Sequence, residues 1–280
     1  PNGAKCEISD LAVLARMEAQ QDAKQKSRGL LYWVNLMESR WHFVLITAVL
    51  VIVFAFSMVT YGLPTLSKGV ALALPLSIDQ QLSEGASSLL ESKLLKPSEI
   101  PLERQQVIAT EFTRIINQLD DGHSFSLIFR KGLGANAFAF PSGIILVTDG
   151  LVNLAQTDAE VVSVLLHEMG HVVNRHGLRL LLQGSALTLL ITVVTGDFSA
   201  STGFIAALPV MLLEQGYSRD LEREADDFSL NYMQAQGLST QAFADILQRI
   251  SGDDQNSVWQ YASSHPTTAE RIRRFQQTTP

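Results

Sequence analysis

The stretch that decides the fold is "VLLHEMGHVVNRH", residues 164–176, where three histidines and a glutamate interrupt a largely apolar sequence. Thr157, with Glu160 three residues later, forms a capping box of the kind that starts a helix. The pattern therefore predicts a helix that begins at Thr157 and runs through His171. The histidines on this helix either hold a metal ion or are hydrogen-bonded groups in an ordinary buried helix.

The letters HEMGH inside this stretch favour the metal. Residues four positions apart in a helix differ by about 40° around the axis, so the imidazoles of His167 and His171 point the same way and can share one cation. Glu168 lies about 100° from His167, where it can reach a water on that cation and act as a general base. In a buried helix without a cation or partner, the charge of Glu168 would be costly.

A catalytic zinc ion needs a third protein ligand and one open position. Cys6 is the only cysteine, so the ligands must come from His, Asp and Glu. In a continuous helix His176 lies about 180° from His167, so we expect it to face away and to be structural. The metzincin pattern is excluded, because Asn174 and Gly177 stand where that pattern needs Gly and His.

A second helix offers an acidic ligand in "SRDLEREADDF", residues 218–228. Glu222 and Asp226 are four apart and share a face, while the small Ala225 allows a close approach of two helices. We expect Glu222 to bind the metal and Asp226 to accept a hydrogen bond from a ligand imidazole. The alternative is a solvated acidic face that is ion-paired to neighbouring arginines.

Length and composition predict one sizeable core and one membrane element. The chain has 280 residues, and 46% of them are hydrophobic. Its formal charge of -7 argues against nucleic acid as a partner.

Three short strands are predicted at 124–130, 135–140 and 143–149, and helices before and after them. The fold class is therefore α+β, mainly helical with a small sheet.

Residues 43–61 run without a charge and are long enough to cross a hydrocarbon core of about 30 Å as a helix. We expect the segment Gly62-Leu63-Pro64 to end this helix. Within about 20 residues of the span, basic residues crowd its N-terminal side, against Lys68 alone on the other, so the N-terminus is predicted to be cytoplasmic and the following domain extracytoplasmic. They are Lys24, Lys26, Arg28 and Arg40. A buried core helix and a cleaved signal peptide are the alternatives.

The predicted domains are an N-terminal cytoplasmic arm at 1–40, a transmembrane anchor at 41–63 and a folded domain at 75–280. A further apolar region, 178–213, is broken by glycines and a proline, and neither half is a convincing span. Membrane contact and a lid over the active-site cleft both remain open for this region.

Four motifs in order resemble one known family. They are Asn136-Ala137-Phe138-Ala139-Phe140-Pro141 followed by Gly143, HEMGH at 167–171, Ser218-Arg219 with Glu222 to Asp226, and Ser264-His265-Pro266 with Glu270-Arg271-Ile272. Together they resemble the gluzincin peptidases of the CAAX prenyl protease and HtpX group, metallopeptidase family forty-eight, which includes periplasmic proteases of the BepA type. The resemblance covers roughly residues 75–278.

The resemblance implies a zinc endopeptidase domain with one catalytic zinc ion. His167, His171 and Glu222 would be the ligands and Glu168 the base. The strand that contains Asn136, Ala137, Phe138 and Ala139 would be an open edge on which an extended substrate adds a strand. His265 would lie near the metal, where it either stabilises the oxyanion or blocks the water site as a reversible extra ligand.

The expected function is that of a membrane-anchored endopeptidase that cleaves unfolded or misassembled envelope proteins on the periplasmic side. A single predicted span departs from the HtpX and prenyl protease branches, which argues against prenylated substrates. One alternative is a membrane-anchored, chaperone-like binding protein with a largely latent protease site. Another is a processing enzyme with one substrate. The oligomeric state is not predicted.

Overall fold

The structure is a computed structural model that describes residues 41–84, 95–119, 122–196, 217–252, 261, 264–266 and 268–277. The chain divides into two units, Pro1–Gly62 and Leu63–Pro280. The predicted N-terminal arm at 1–40 lies outside the described residues, as does the part of the second apolar region at 197–213.

The described part of the first unit is helix α1, Trp41–Ser57, followed by a π-helical turn, Met58–Gly62. No residue of α1 is buried, so its apolar side chains are presented outward along the whole helix. The prediction that helical structure ends at Gly62 to Pro64 is wrong, since α2, Leu63–Ala73, follows the turn directly. Pro64 is tolerated because it lies in the first turn of α2, where a backbone N–H needs no helical partner.

The second unit contains one four-stranded mixed sheet in the order β1-β2-β4-β3. Its strands are β1, Lys96–Pro97; β2, Ser126–Lys131; β3, Ala137–Ala139; and β4, Ile144–Thr148. β2 runs parallel to β4, while β1 and β3 are antiparallel to their neighbours. The three predicted strands are confirmed as β2 to β4, and β3 is an edge strand.

Helices carry most of the second unit, which bears out a mainly helical fold with a small sheet. Residues 77–84 are helical. The longer helices are α3, Leu102–Ile116; α4, Asp149–Leu154; α5, Asp158–Val173; α6, His176–Thr195; α7, Arg219–Ala235; α8, Gln241–Gly252; and α9, Ala269–Gln277.

Helix α5 is the predicted metal helix, and it begins as the sequence indicates. The Thr157 side chain accepts a hydrogen bond from the backbone N–H of Glu160 at 3.3 Å. The Glu160 carboxylate accepts from the N–H of Gln156 at 3.0 Å and pairs with Arg249 at 2.5 Å. The start of α5 is thus fixed from both sides.

Helix α5 lies at the centre of the core, with almost every side chain from Glu160 to Val172 buried. It contacts α3, α7, α8 and the sheet. A Cβ built on Gly170 would come 2.8 Å from both the Cα and the backbone oxygen of Ala225 on α7. Only glycine at position 170 therefore permits this separation of α5 and α7, and the small Ala225 has the role that the sequence predicts.

Helices α5 and α6 are separated by a sharp break at Asn174 and Arg175. Arg175 has φ 53°, the left-handed region that a non-glycine residue seldom adopts. Its buried guanidinium compensates by bonding the backbone oxygens of Ala71 and Leu74 and the carboxylate of Asp79 at 2.5 Å. These contacts hold the strained residue in place and turn the chain sharply before His176.

Candidate metal centre

Three segments distant in sequence bring the predicted site residues together. α5 supplies His167, Glu168 and His171, and α7 supplies Glu222. The segment that precedes α9 supplies His265. Each of these side chains is at most 2% exposed, as is that of Asp226. The sequence-predicted metal and catalytic residues therefore form one buried cluster.

The donor atoms converge closely. The Nε2 atoms of His167 and His171 lie 3.0 Å apart. Glu222 places Oε1 3.4 Å from Nε2 of His171 and Oε2 3.5 Å from Nε2 of His167. With His265 included, one donor atom from each residue lies within 4.8 Å of all the others. This set of imidazoles and a carboxylate is the kind that binds zinc, so the residues fit the predicted ion.

The predicted partner of a ligand imidazole is in place. Asp226 places Oδ1 3.0 Å from Nδ1 of His167. Arg271 donates to both oxygens of Asp226 at 2.7 Å and lies 2.6 Å from Oε2 of Glu222. Because Glu222 and Asp226 are buried against these groups, a solvated acidic face is excluded at these two positions.

His176 lies where sequence reasoning did not expect it. Its Nδ1 is 2.8 Å from Nδ1 of His171, and its Nε2 is 3.3 Å from Oε2 of Glu224. The prediction that His176 faces away is wrong, because the helix does not continue through position 175. The left-handed turn at Arg175 brings His176 back toward the ring of His171.

His265 belongs to the cluster itself. Its Nδ1 lies 3.0 Å from Oε1 of Glu222 and 3.4 Å from Nε2 of His167, and its Nε2 lies 3.4 Å from Oε1 of Glu168. The imidazole of His265 thus stands between the predicted ligands and the predicted base.

Glu168 sits beside the edge strand. Burial raises the pKa of Glu168 to about 7, so near neutrality its carboxyl group can both take and release a proton. The backbone N–H of Ala139 on β3 donates to the Glu168 carboxylate. The predicted base and the predicted substrate strand are therefore adjacent.

Burial also sets the protonation of the predicted ligands. Burial lowers the pKa of His171 well below its ordinary value, which keeps the ring neutral. Burial alone would raise the pKa of Glu222, but the neighbouring rings of His265 and His167 outweigh it and hold the carboxyl group ionised. A neutral imidazole and an ionised carboxylate are the forms that bind a metal ion.

Comparison with known proteins decides the family. The profile of peptidase family M48 matches residues 103–279, more than half of the chain. The chain belongs to peptidase family M48. Its members are zinc metallopeptidases, which agrees with the predicted enzyme class, cofactor and peptide substrates.

Curated members of the M48 family resemble this chain over part of their length. Metalloprotease YcaL of Escherichia coli (strain K12) is 31% identical over 148 residues, 50% of this chain and 56% of that protein. Mitochondrial metalloendopeptidase OMA1 of Arabidopsis thaliana is 28% identical over 160 residues, 56% of this chain and 32% of that protein. Beta-barrel assembly-enhancing protease of Yersinia pestis is 25% identical over 213 residues, 71% of this chain and 42% of that protein. The chain thus spans about half or less of the length of these relatives.

Aromatic rings close the sides of this M48 cluster. Tyr217 stacks on His171 with ring centroids 3.8 Å apart, and Phe243 lies against His167 at 5.4 Å. Tyr261 stacks on His265 at 4.7 Å. Rings at these separations limit rotation of the three imidazoles and exclude water from their faces.

Sequence reasoning missed His176 and Glu224 as neighbours of the site, and it named Arg271 only as part of a family motif, without a contact or a role. Arg271 follows Asp226 by 45 residues, so no local spacing links the two. His176 and Glu224 meet only because the chain turns at Arg175. The signal available for His176 was its place five residues after His171, at the end of the stretch 164–176.

Proposed function

We propose that this chain is a membrane-anchored zinc endopeptidase that cleaves unfolded or misassembled proteins of the cell envelope. The observation that carries the proposal is the convergence of His167, His171 and Glu222 beside a buried carboxyl group, Glu168. Zinc at this position would act as a Lewis acid that polarises the scissile carbonyl and lowers the pKa of a bound water. His167, His171 and Glu222 would hold the ion.

Glu168 is the general base in this proposal. Its pKa near 7 suits a group that takes a proton from the attacking water and later gives it to the leaving amine. The N–H of Ala139 holds the carboxylate toward the edge of the sheet, where the scissile bond would lie.

The edge strand β3 is proposed to bind the substrate. The backbone N–H of Phe140 donates to the oxygen of Ile144 on β4 at 2.8 Å. The backbone N–H of Thr148 on β4 donates to the oxygen of Asn136 at 3.0 Å. In an antiparallel pair the backbone groups of alternate residues point the other way, so those of Ala137 and Ala139 face the outer edge, where the N–H of Ala139 already meets Glu168 and the other groups are offered to a substrate. An extended peptide can add there as a further strand, with Phe138 between these two positions. Only a substrate segment without its own structure can do so, which favours unfolded proteins.

Membrane anchoring is supported by α1 and by the charge asymmetry around it. Within the described residues, two helices are long and apolar enough to cross a membrane: Trp41–Ala73, whose apolar stretch has no buried part, and His176–Thr195, which is partly buried and lies in the region where the sequence predicted no convincing span. The excess of Lys and Arg before it favours a cytoplasmic N-terminus, with the peptidase domain on the extracytoplasmic side. Relatives named beta-barrel assembly-enhancing protease support an envelope role.

His265 supports a second candidate, a protease that is largely latent and binds clients as a chaperone does. Its Nδ1 lies close enough to Glu222 and His167 to act as a fourth ligand of the metal. The coordination position that water needs would then be occupied. If His265 blocks the site, His265→Ala raises the rate of cleavage. If it stabilises the oxyanion, the same change lowers the rate. The sign of the change assigns the role.

The test of peptidase activity combines metal analysis with proteolysis. Purified protein should contain about one zinc per chain, and it should degrade casein but not a stable folded protein. Chelator should abolish cleavage, and zinc should restore it. Glu168→Gln keeps the shape of the side chain and should keep zinc while losing most activity. Wild-type turnover by that variant would remove Glu168 as the base.

Cys6, the only cysteine, offers a test of topology. A membrane-impermeant maleimide should label Cys6 only after the cytoplasmic side is opened. In a Cys6→Ser background, Thr110→Cys on the exposed face of α3 should be labelled in intact spheroplasts. The opposite pattern would contradict the proposed orientation.

A further inference from the structure

We propose that His176 and Glu224 are positioning residues that hold the imidazole of His171 in the tautomer whose Nε2 is free to bind zinc. The inference rests on the proposed function and deepens it. The three side chains form one chain of contacts: Nδ1 of His171 to Nδ1 of His176 at 2.8 Å, and Nε2 of His176 to Oε2 of Glu224 at 3.3 Å. We call these three residues the relay.

The order of donors and acceptors in the relay follows from its outer end. The carboxylate of Glu224 can only accept, so Nε2 of His176 must donate to it. A neutral imidazole has one donor and one acceptor, so Nδ1 of His176 accepts. Nδ1 of His171 must then donate, and its Nε2 carries a lone pair. That lone pair points toward Nε2 of His167 and Oε1 of Glu222.

Arg179 and Lys68 fix Glu224 at the outer end of the relay. Arg179 lies 2.6 Å from Glu224, and Lys68 lies 3.0 Å from it. Paired with these cations, the carboxylate is held where it accepts the proton on Nε2 of His176.

The turn at Arg175 is what makes the relay possible. In a continuous helix His176 would point away from His171. The left-handed conformation of Arg175, held by Ala71, Leu74 and Asp79, folds His176 back while leaving it completely buried. The relay explains why the chain tolerates this strained backbone next to the cluster.

Both ligand histidines are therefore oriented by a carboxylate, one by direct contact and the other through an intervening imidazole. His167 meets the carboxylate of Asp226 directly at 3.0 Å. His171 reaches the carboxylate of Glu224 through the ring of His176. A partner that fixes the tautomer of a ligand imidazole typically contributes a factor of about 10–100 to metal affinity.

The test measures the zinc dissociation constant by chelator competition, together with the thermal unfolding of the zinc-free protein. His176→Phe keeps a planar ring and removes both hydrogen bonds, and we expect the dissociation constant to rise about 10–100-fold. His176→Asn keeps an acceptor near the position of Nδ1, and its affinity should lie between those of wild type and His176→Phe. Asp220→Asn, which removes an exposed charge on α7 and touches no relay member, should leave the affinity within about twofold of wild type.

A lower unfolding temperature of zinc-free His176→Phe with unchanged zinc affinity would show a purely structural role and overturn the inference. If His176→Phe does not fold, His176→Asn and Glu224→Ala decide, because wild-type zinc affinity in both would likewise overturn it. Wild-type protein that binds no zinc would instead overturn the proposed function. Zinc-binding wild type with an unaffected, folded His176→Phe variant would overturn the relay alone.

Discussion

Helix α7 carries acidic residues on two faces, and the faces differ in how far the carboxylates are buried and in the groups that they contact. On the inner face, Glu222 and Asp226 are at most 2% exposed and lie against imidazoles and Arg271. On the outer face, the side chain of Asp220 is 85% exposed and pairs with Arg223 at 3.0 Å. The position of a carboxylate around the helix, and not its presence, therefore decides whether it can serve a metal site.

The burial of two carboxylates on the inner face costs free energy unless positive charges compensate them. A buried carboxylate is stable only when it is paired and hydrogen-bonded. Arg271 supplies one positive charge for the two carboxylates, and although burial alone would lower the pKa of His167, Glu222 and Asp226 beside it raise that pKa. A divalent cation among His167, His171 and Glu222 would complete the compensation. The outer face needs none, since water solvates Asp220.

The largest effect is expected at Glu222. Glu222→Gln keeps the size of the side chain but removes the charged donor, so the ion loses its only carboxylate ligand. Loss of the hydrogen-bond partner of a ligand typically lowers metal affinity by up to about 100-fold. Loss of the ligand itself should lower zinc affinity by more than this, and casein cleavage should be lost with it. Zinc content measured after dialysis checks this, and stoichiometric zinc in the variant would exclude Glu222 as a ligand.

Asp226→Asn should have the next largest effect. The amide cannot hold the proton of His167 Nδ1 as a carboxylate does, and it weakens the paired contact with Arg271. Zinc affinity should fall about 10–100-fold while Glu222 still binds the ion. Chelator competition measures the fall. Equal losses in Asp226→Asn and Glu222→Gln would mean that the two inner carboxylates do not have separate roles.

Gly170→Ala tests the close packing of α5 against the inner face of α7. The new Cβ would meet backbone atoms of Ala225 at 2.8 Å, so the helices must move apart, and we expect a destabilisation of about 1–3 kcal/mol. Gly69→Ala is the matched control, because nothing lies within 4 Å of a Cβ there and alanine favours the helix by up to about 1 kcal/mol. Thermal unfolding in detergent should shift in opposite directions for the two variants. A stabilising Gly170→Ala would contradict the close packing of α5 and α7.

The smallest effect is expected on the outer face. Asp220→Asn removes an exposed charge whose pair with Arg223 is solvated, so stability should change by less than about 0.5 kcal/mol. Zinc affinity should equal that of wild type, as measured by the same chelator competition. A loss of zinc in this variant would break the distinction between the two faces.

Helical spacing was enough to predict the local parts of the site. The positions of His167, Glu168 and His171 follow from one helix, and the common face of Glu222 and Asp226 follows from another. The capping box at Thr157 placed the start of α5 correctly. These features depend only on residues within a few turns of each other, which is why a sequence without coordinates predicts them.

Features that depend on the path of the backbone were not predictable in this way. His176 was expected to face away because the left-handed turn at Arg175 is fixed by contacts about 100 residues away, with Ala71, Leu74 and Asp79. Arg271 reaches Asp226 from α9 for the same reason. The end of the helix at Gly62 was also mispredicted, for a local reason: Pro64 lies in the first turn of α2, where proline is tolerated. Long-range packing, not local propensity, decided the first two.

Anomalous X-ray scattering from crystals of the purified protein, recorded on both sides of the zinc absorption edge, tests the central claim most directly. The account predicts one strong peak bonded by Nε2 of His167, Nε2 of His171 and a carboxylate oxygen of Glu222, at distances of about 2.0–2.2 Å. A peak elsewhere, or zinc bound with Glu222 turned away and no other donor in its place, would contradict it.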